Sequence, residues 1–156
     1  VDATRAEVAR LFPGVDDWIS ERSFAHPSGY GGKVDLHSPS TGIVIDFKGK
    51  DGDFSDGKKL AYDQHWQLAA YQVGLQLKPS ACANLLVSRT HPGKVASHLW
   101  SVDDVIDGWG VFSSALALWQ AMKGYCPKLA KAAARARNPT ATPPLSAREV
   151  STFPTR

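Results

Sequence analysis

Gly42-Ile43-Val44-Ile45-Asp46-Phe47-Lys48 is the stretch on which the fold turns. Its β-branched run predicts a strand over Ile43 to Lys48, and alternation along a strand sends Asp46 and Lys48 to one face and Ile45 and Phe47 to the other. A carboxylate and an ammonium side by side on a strand flanked by apolar residues need a reason to be there. Upstream, Ser38-Pro39-Ser40-Thr41-Gly42 reads as a turn, Lys33 to His37 as a second strand and Trp18 to His26 as a third. Together they predict a three-stranded antiparallel meander.

Helical patterns bracket this meander. Thr4-Arg5-Ala6-Glu7 has capping-box spacing, with Val8, Leu11 and Phe12 as an apolar stripe before Pro13-Gly14 stops the helix. After a polar Gly49–Gly57 loop, Leu60, Trp66, Ala69, Ala70 and Val73 recur at helical spacing between Lys58 and Gln76. Asn84 to Thr90 and Val95 to Trp100 form an expected hairpin turned at His91-Pro92-Gly93, and Ser101-Val102-Asp103-Asp104 caps a long helix to about Lys123. Trp66, Trp109 and Trp119 fall on apolar helix faces and are expected in the core. The order is α-β-β-β-α-β-β-α.

A chain of 156 residues is expected to form one domain that buries roughly 70% of the surface its unfolded form exposes. Apolar runs are only a few residues long, so no membrane span is expected, and Val1 opens the chain with no signal-peptide pattern. Cys82 and Cys126 have neither zinc nor iron–sulfur spacing and build no disulfide framework, which points to a reducing compartment. His26, His37, His65, His91 and His98 show neither His-x-x-x-His nor His-Glu-x-x-His spacing, against a mononuclear zinc hydrolase.

The formal charge of +3 is unevenly divided: residues 128–156 carry +5 and the remainder −2. That division predicts a body over 1–127 whose acids suit metal, and a basic, proline-rich tail over 128–156, partly disordered, suited to phosphate. No feature of the sequence reads bases.

Three segments in order carry the chemistry: Gly31-Gly32-Lys33-Val34-Asp35-Leu36-His37, then Ile43-Val44-Ile45-Asp46-Phe47-Lys48, then Gln67-Leu68-Ala69-Ala70-Tyr71. Asp35 and Asp46 fall near facing ends of adjacent strands, where two carboxylates reach one ion; Gln67 and Tyr71, four apart, share a helix face with Asp63. Over roughly Glu21 to Trp119 the chain resembles the PD-(D/E)xK nuclease superfamily, in its RecB-like, phage-type exonuclease branch with the Gln-x-x-x-Tyr motif. The resemblance implies an α/β (α+β-like), restriction-endonuclease-like core: a mixed central sheet of about five strands flanked by helices. It implies a Mg²⁺- or Mn²⁺-dependent deoxyribonuclease acting on single-stranded DNA or duplex ends in recombination, repair or phage DNA metabolism, in the cytoplasm of a bacterial or phage-infected cell. A helicase or annealing partner fits that setting.

By the same resemblance, Asp35, Asp46 and the backbone carbonyl of Phe47 ligate metal, Lys48 holds the attacking water or the developing charge, and Gln67 and Tyr71 support the site. The upstream acid of the motif is expected at Glu21, with Glu7 and then His26 as alternatives. Lys33, Lys50, Lys58, Lys59 and Arg89 lie where phosphate contacts are expected, and His37 shares the strand parity of Asp35. An endonuclease of the same fold and a nuclease fold that only binds DNA are the competing functions.

Overall fold

The structure is a computed structural model that describes residues 2–54, 64–128 and 130. Its elements are α1 (Asp2–Leu11), β1 (Ile19–His26), β2 (Tyr30–His37), β3 (Val44–Lys50), α2 (His65–Gly74), β4 (Cys82–Ser88), β5 (Val95–Trp100) and α3 (Val102–Lys123). The five strands lie in sequence order in one sheet, antiparallel throughout except that β3 and β4 run parallel. A parallel pair cannot be joined by a hairpin, so the chain crosses over through the segment that contains α2. The result is a mixed five-stranded sheet with helices on both faces.

Alternation along β3 builds the two layers. Ile43, Ile45 and Phe47 pack with Val8 and Phe12 of the α1 layer, whereas Val44 packs with Leu68, Val73 and Val105 under α2 and α3. Each fully buried aliphatic side chain contributes about 1.5–3 kcal/mol. Asp46 and Lys48 share the parity of Val44 and so face α2, which is what brings the strand's charges toward Gln67. On α3, Gly108 lets the helix approach α2: a Cβ there would sit 3.0 Å from the His65 carbonyl oxygen.

Three local expectations are corrected. α1 begins at Asp2, so Thr4 lies inside the helix, and the Glu7 carboxylate is held by Arg10 and Ser97 instead of closing a capping box. On α3 the capping box at Ser101 and Asp104 forms as expected, and Gly124 ends the helix in the left-handed conformation. Its inward side runs through Val105, Gly108, Phe112 and Gln120, which leaves Trp119 about a quarter-turn away and 48% exposed. Trp66 is likewise 37% exposed, and of the three tryptophans assigned to the core only Trp109 packs against it.

The expected second helix is seen over α2, and the part of it from Lys58 to Asp63 lies outside the described residues. So does almost all of the 128–156 tail. Cys82 is buried and Cys126 exposed, both as free thiols. No described helix is long and apolar enough to cross a membrane.

Candidate metal and catalytic site

β2 and β3 pair at only two positions, Leu36 with Ile45 and His37 with Val44. The next rung would set Asp35 against Asp46. Instead the strands part there, and Asp35 Oδ2 accepts the Phe47 N–H at 2.8 Å. A side chain thus takes over a backbone donor that the ladder no longer satisfies. It also fixes the Asp35 carboxylate close enough to Asp46 for the two charges to repel.

Asp46 is 4% exposed, a costly position for a charge. Its Oδ2 accepts from Lys48 Nζ at 2.8 Å and from Asn84 Nδ2 at 3.2 Å. Burial nevertheless raises the Asp46 carboxyl above its ordinary value, Lys48 and Asn84 oppose that shift, and Asp35 adds to it. A buried carboxylate with a second carboxylate close by is short of positive charge, which a divalent cation supplies.

The groups around Asp46 are oriented in turn. Trp100 Nε1 donates to Asn84 Oδ1 at 2.7 Å, so the Asn84 amide presents its N–H to Asp46. On the other side Lys48 Nζ donates to Gln67 Oε1 at 3.0 Å and Gln67 Nε2 donates to the Tyr71 hydroxyl at 2.6 Å. One line of hydrogen bonds therefore runs Trp100–Asn84–Asp46–Lys48–Gln67–Tyr71, through β5, β4, β3 and α2. Gly32 opposite makes room for it: a Cβ there would meet the Tyr71 ring at 2.8 Å.

The structure brings Asp35, Asp46, Lys48, Gln67 and Tyr71 together, but not Glu21. By register Glu21 faces Asp35 across β1 and β2, since Ser20 pairs with Leu36 and Arg22 with Val34. Its φ of 60° breaks the strand's regular alternation, and the carboxylate, 59% exposed, forms an ion pair with Lys33. Lys33 is accordingly engaged by Glu21. The alternatives also lie elsewhere: Glu7 bonds Arg10 and Ser97 on the α1 side, and His26 is buried with its ring 4.8 Å from that of Tyr30.

Among the phosphate-contact candidates, Arg89 makes a two-pronged ion pair with Asp51 at 3.0 and 3.1 Å, in the open. Lys50 is half-buried at the end of β3, where its carbonyl accepts the Arg89 N–H. His37 is buried, which removes it from reach of a phosphate. Lys58, Lys59 and Asp63 lie outside the described residues.

Among the described residues no group of three or more His, Cys, Asp and Glu side chains is placed to hold a metal. A two-carboxylate set still suits Mg²⁺, which commonly takes one or two protein carboxylates and completes its shell with water and substrate phosphate. The hydrogen bonds described for Asp35 and Asp46 both fall on Oδ2, so each carboxylate has Oδ1 to offer. The Phe47 carbonyl lies in the same strand segment.

Asn84 and Trp100 are functional candidates that the sequence analysis did not single out. The signal for Asn84 was a lone amide within Cys82-Ala83-Asn84-Leu85-Leu86-Val87, because a buried polar residue in an apolar strand is more informative than its neighbours. Trp100 offered no such signal; its indole N–H matters only because Asn84 is beside it.

No protein-family model matches the chain, and no curated protein matches it. Among solved structures, the crystal structure of the protein designated SSO0001 is similar at 15% identity, with a TM-score of 0.41, covering 76% of this chain and 58% of that one. The chain thus spans less than two thirds of that protein's length.

Proposed function

We propose that this chain is a Mg²⁺- or Mn²⁺-dependent deoxyribonuclease of the PD-(D/E)xK superfamily, in its RecB-like branch, that hydrolyses phosphodiester bonds at DNA ends. The observation that carries the proposal is the continuous line from Asp46 through Lys48 and Gln67 to Tyr71, with the Asp35 carboxylate anchored at the Phe47 N–H. Motif residues on β2, β3 and α2 are thereby joined through hydrogen bonds and ion pairs between neighbours, Lys48 reaching Gln67 across 19 positions.

The geometry supports the following division of labour under this proposal. Asp35 and Asp46 would hold the cation with the Phe47 carbonyl, and the cation would polarise the scissile phosphate and acidify a water. Lys48 places a positive charge beside Asp46, where it holds the attacking water or offsets charge developing on the phosphate oxygens. Gln67 keeps the ammonium in position, and Tyr71 keeps Gln67 from turning its amide. Asn84, set by Trp100, keeps Asp46 in one rotamer. Water loses a proton to solvent as its oxygen attacks phosphorus, the P–O bond to the departing nucleotide breaks, and the departing oxygen takes up a proton from solvent.

A setting in bacterial or phage DNA metabolism, with a helicase or annealing partner, belongs to the same proposal. A second function, DNA binding without cleavage, is favoured by one observation: Glu21 pairs with Lys33 and brings no third carboxylate to the site. End-labelled single-stranded, duplex, flap and circular DNA, incubated with Mg²⁺, Mn²⁺ or EDTA, separates the two. Metal-dependent products support the nuclease, and their release from ends alone supports the exonuclease. Tight binding without products supports the other function.

A further inference from the structure

Beside Gln67 the sheet and the two helices enclose an open cleft of about 610 Å³, within the size range of small-molecule sites. Five aromatic residues line it: Phe24, Tyr30, Trp66, Tyr71 and Phe112. The rings of Phe24 and Tyr71 meet edge-on at 6.0 Å, and that of Tyr30 meets Phe24 at 5.8 Å and Phe112 at 5.0 Å. Trp66 stands partly in solvent with its ring against His65. No described residue of the lining is charged, and Gln67 together with Gln64 contributes amide edges to it.

The described lining offers no charge to a phosphate and suits a flat, polar-edged ring. Aromatic walls stack any base because every base has a π-face, and amides answer its hydrogen-bonding edge. The position selects such a ring as well. Gln67 borders the cleft and at the same time bonds Lys48, so a strand whose phosphate lies at Lys48 has an adjacent base at the cleft mouth. A base enters only if it is unpaired and unstacked from its neighbours.

On the strength of the nuclease proposal above, we infer that this cleft receives an unpaired nucleobase next to the scissile phosphate. The substrate is then single-stranded DNA or a frayed terminus, and intact duplex is cut slowly for want of a free base. Trp66 and Phe112 act in specificity, and neither belongs to the hydrogen-bond line at Lys48.

The test uses single-stranded oligonucleotides carrying one abasic residue, moved position by position past the cleavage site, with the full chain and its Trp66→Ala, Trp66→Phe and Phe112→Leu variants. One abasic position should slow subsaturating cleavage by the unaltered protein about tenfold to a hundredfold, the range of one lost stacking contact. In Trp66→Ala the same substitution should matter less than about threefold, and Trp66→Phe should restore most of the penalty. Blunt duplex should be cut at least about tenfold more slowly than single strand, a deficit relieved by terminal mismatches. Anisotropy of the same labelled oligonucleotides in EDTA reads base docking without catalysis. Cleavage indifferent to every abasic position, or equally sensitive in Trp66→Ala, overturns the inference and leaves the nuclease standing. Base-dependent binding with no cleavage in any metal keeps the cleft and removes the nuclease, and neither binding nor cleavage removes both.

Discussion

Asp46→Asn separates a catalytic site from a structural ion pair, because the two predict opposite changes in stability. Asp46 is almost wholly buried, and its carboxyl is raised by burial in spite of Lys48 and Asn84. A folded-state value above the unfolded one means that the native protein binds this proton more tightly. The ionised form therefore lowers stability as pH rises through its titration. Asparagine keeps the shape, accepts hydrogen bonds from the same two donors and carries no charge to bury. The variant should be more stable than the unaltered protein at pH 7 in EDTA by about 0.5–2 kcal/mol, a common gain at a site built for function. For a domain of this size that is about 2–4 °C in Tm per kcal/mol.

The difference should be full at neutral pH and close as the pH falls to the ordinary carboxylate value of 3.8, where Asp46 takes up its proton in both states. Metal should reverse the ranking. At about a hundred times its Kd, Mg²⁺ adds about 2.7 kcal/mol to the unaltered protein and should add little to the variant. Reversible urea or thermal unfolding across pH, with and without Mg²⁺, reads all of this. A loss of about 3–5 kcal/mol in Asp46→Asn, the cost of breaking a buried pair, would show that Asp46 and Lys48 are structural partners.

Lys48→Ala should lower single-turnover cleavage about 10²–10³-fold while leaving DNA affinity within a few fold, because a charge positioned at the reacting phosphate acts on the transition state. Normal cleavage at saturating DNA would instead make it a docking residue. Trp100→Phe removes the indole donor to Asn84, so thermal unfolding should show a loss of about 1–3 kcal/mol and metal titration an affinity about 10–100-fold weaker. Glu7→Gln should leave cleavage and metal dependence unchanged, since Glu7 bonds Arg10 and Ser97 on the opposite side of the sheet. The hydrogen bond from Arg10 holds the Glu7 carboxyl below its ordinary value of 4.5; its contribution is present above that pH and lost as pH falls through the lowered value, a loss Glu7→Gln should not show.

The parts of the site legible in the sequence are those governed by local periodicity. A period of two put Asp46 and Lys48 on one face of β3, and spacing of four put Gln67 and Tyr71 on one face of α2; the structure adds the Lys48–Gln67 contact that joins them. The meander, the hairpin and the α3 cap were legible for the same reason, whereas the mixed sheet of about five strands was implied by the family resemblance and not by local pattern. What local pattern does not encode is register between distant strands. Asn84 meets Asp46 only because β3 and β4 pair in parallel with those residues opposite, and Trp100 reaches Asn84 only because β5 returns beside β4. The placement of Glu21 was hidden for a related reason. Its left-handed backbone and its neighbour Lys33 across the β1–β2 pair are properties of the folded hairpin, invisible in Ile19-Ser20-Glu21-Arg22.

Single-turnover hydrolysis of end-labelled DNA, with Mn²⁺ titrated from zero against the unaltered protein, Asp35→Asn and Asp46→Asn, tests the central claim most directly. Cleavage by the unaltered protein should rise from nothing in EDTA to saturation with Mn²⁺, and both variants should lose most of that rate while unfolding cooperatively. Cleavage that persists in EDTA, or a folded Asp46→Asn protein that cuts DNA at the unaltered rate, would contradict it.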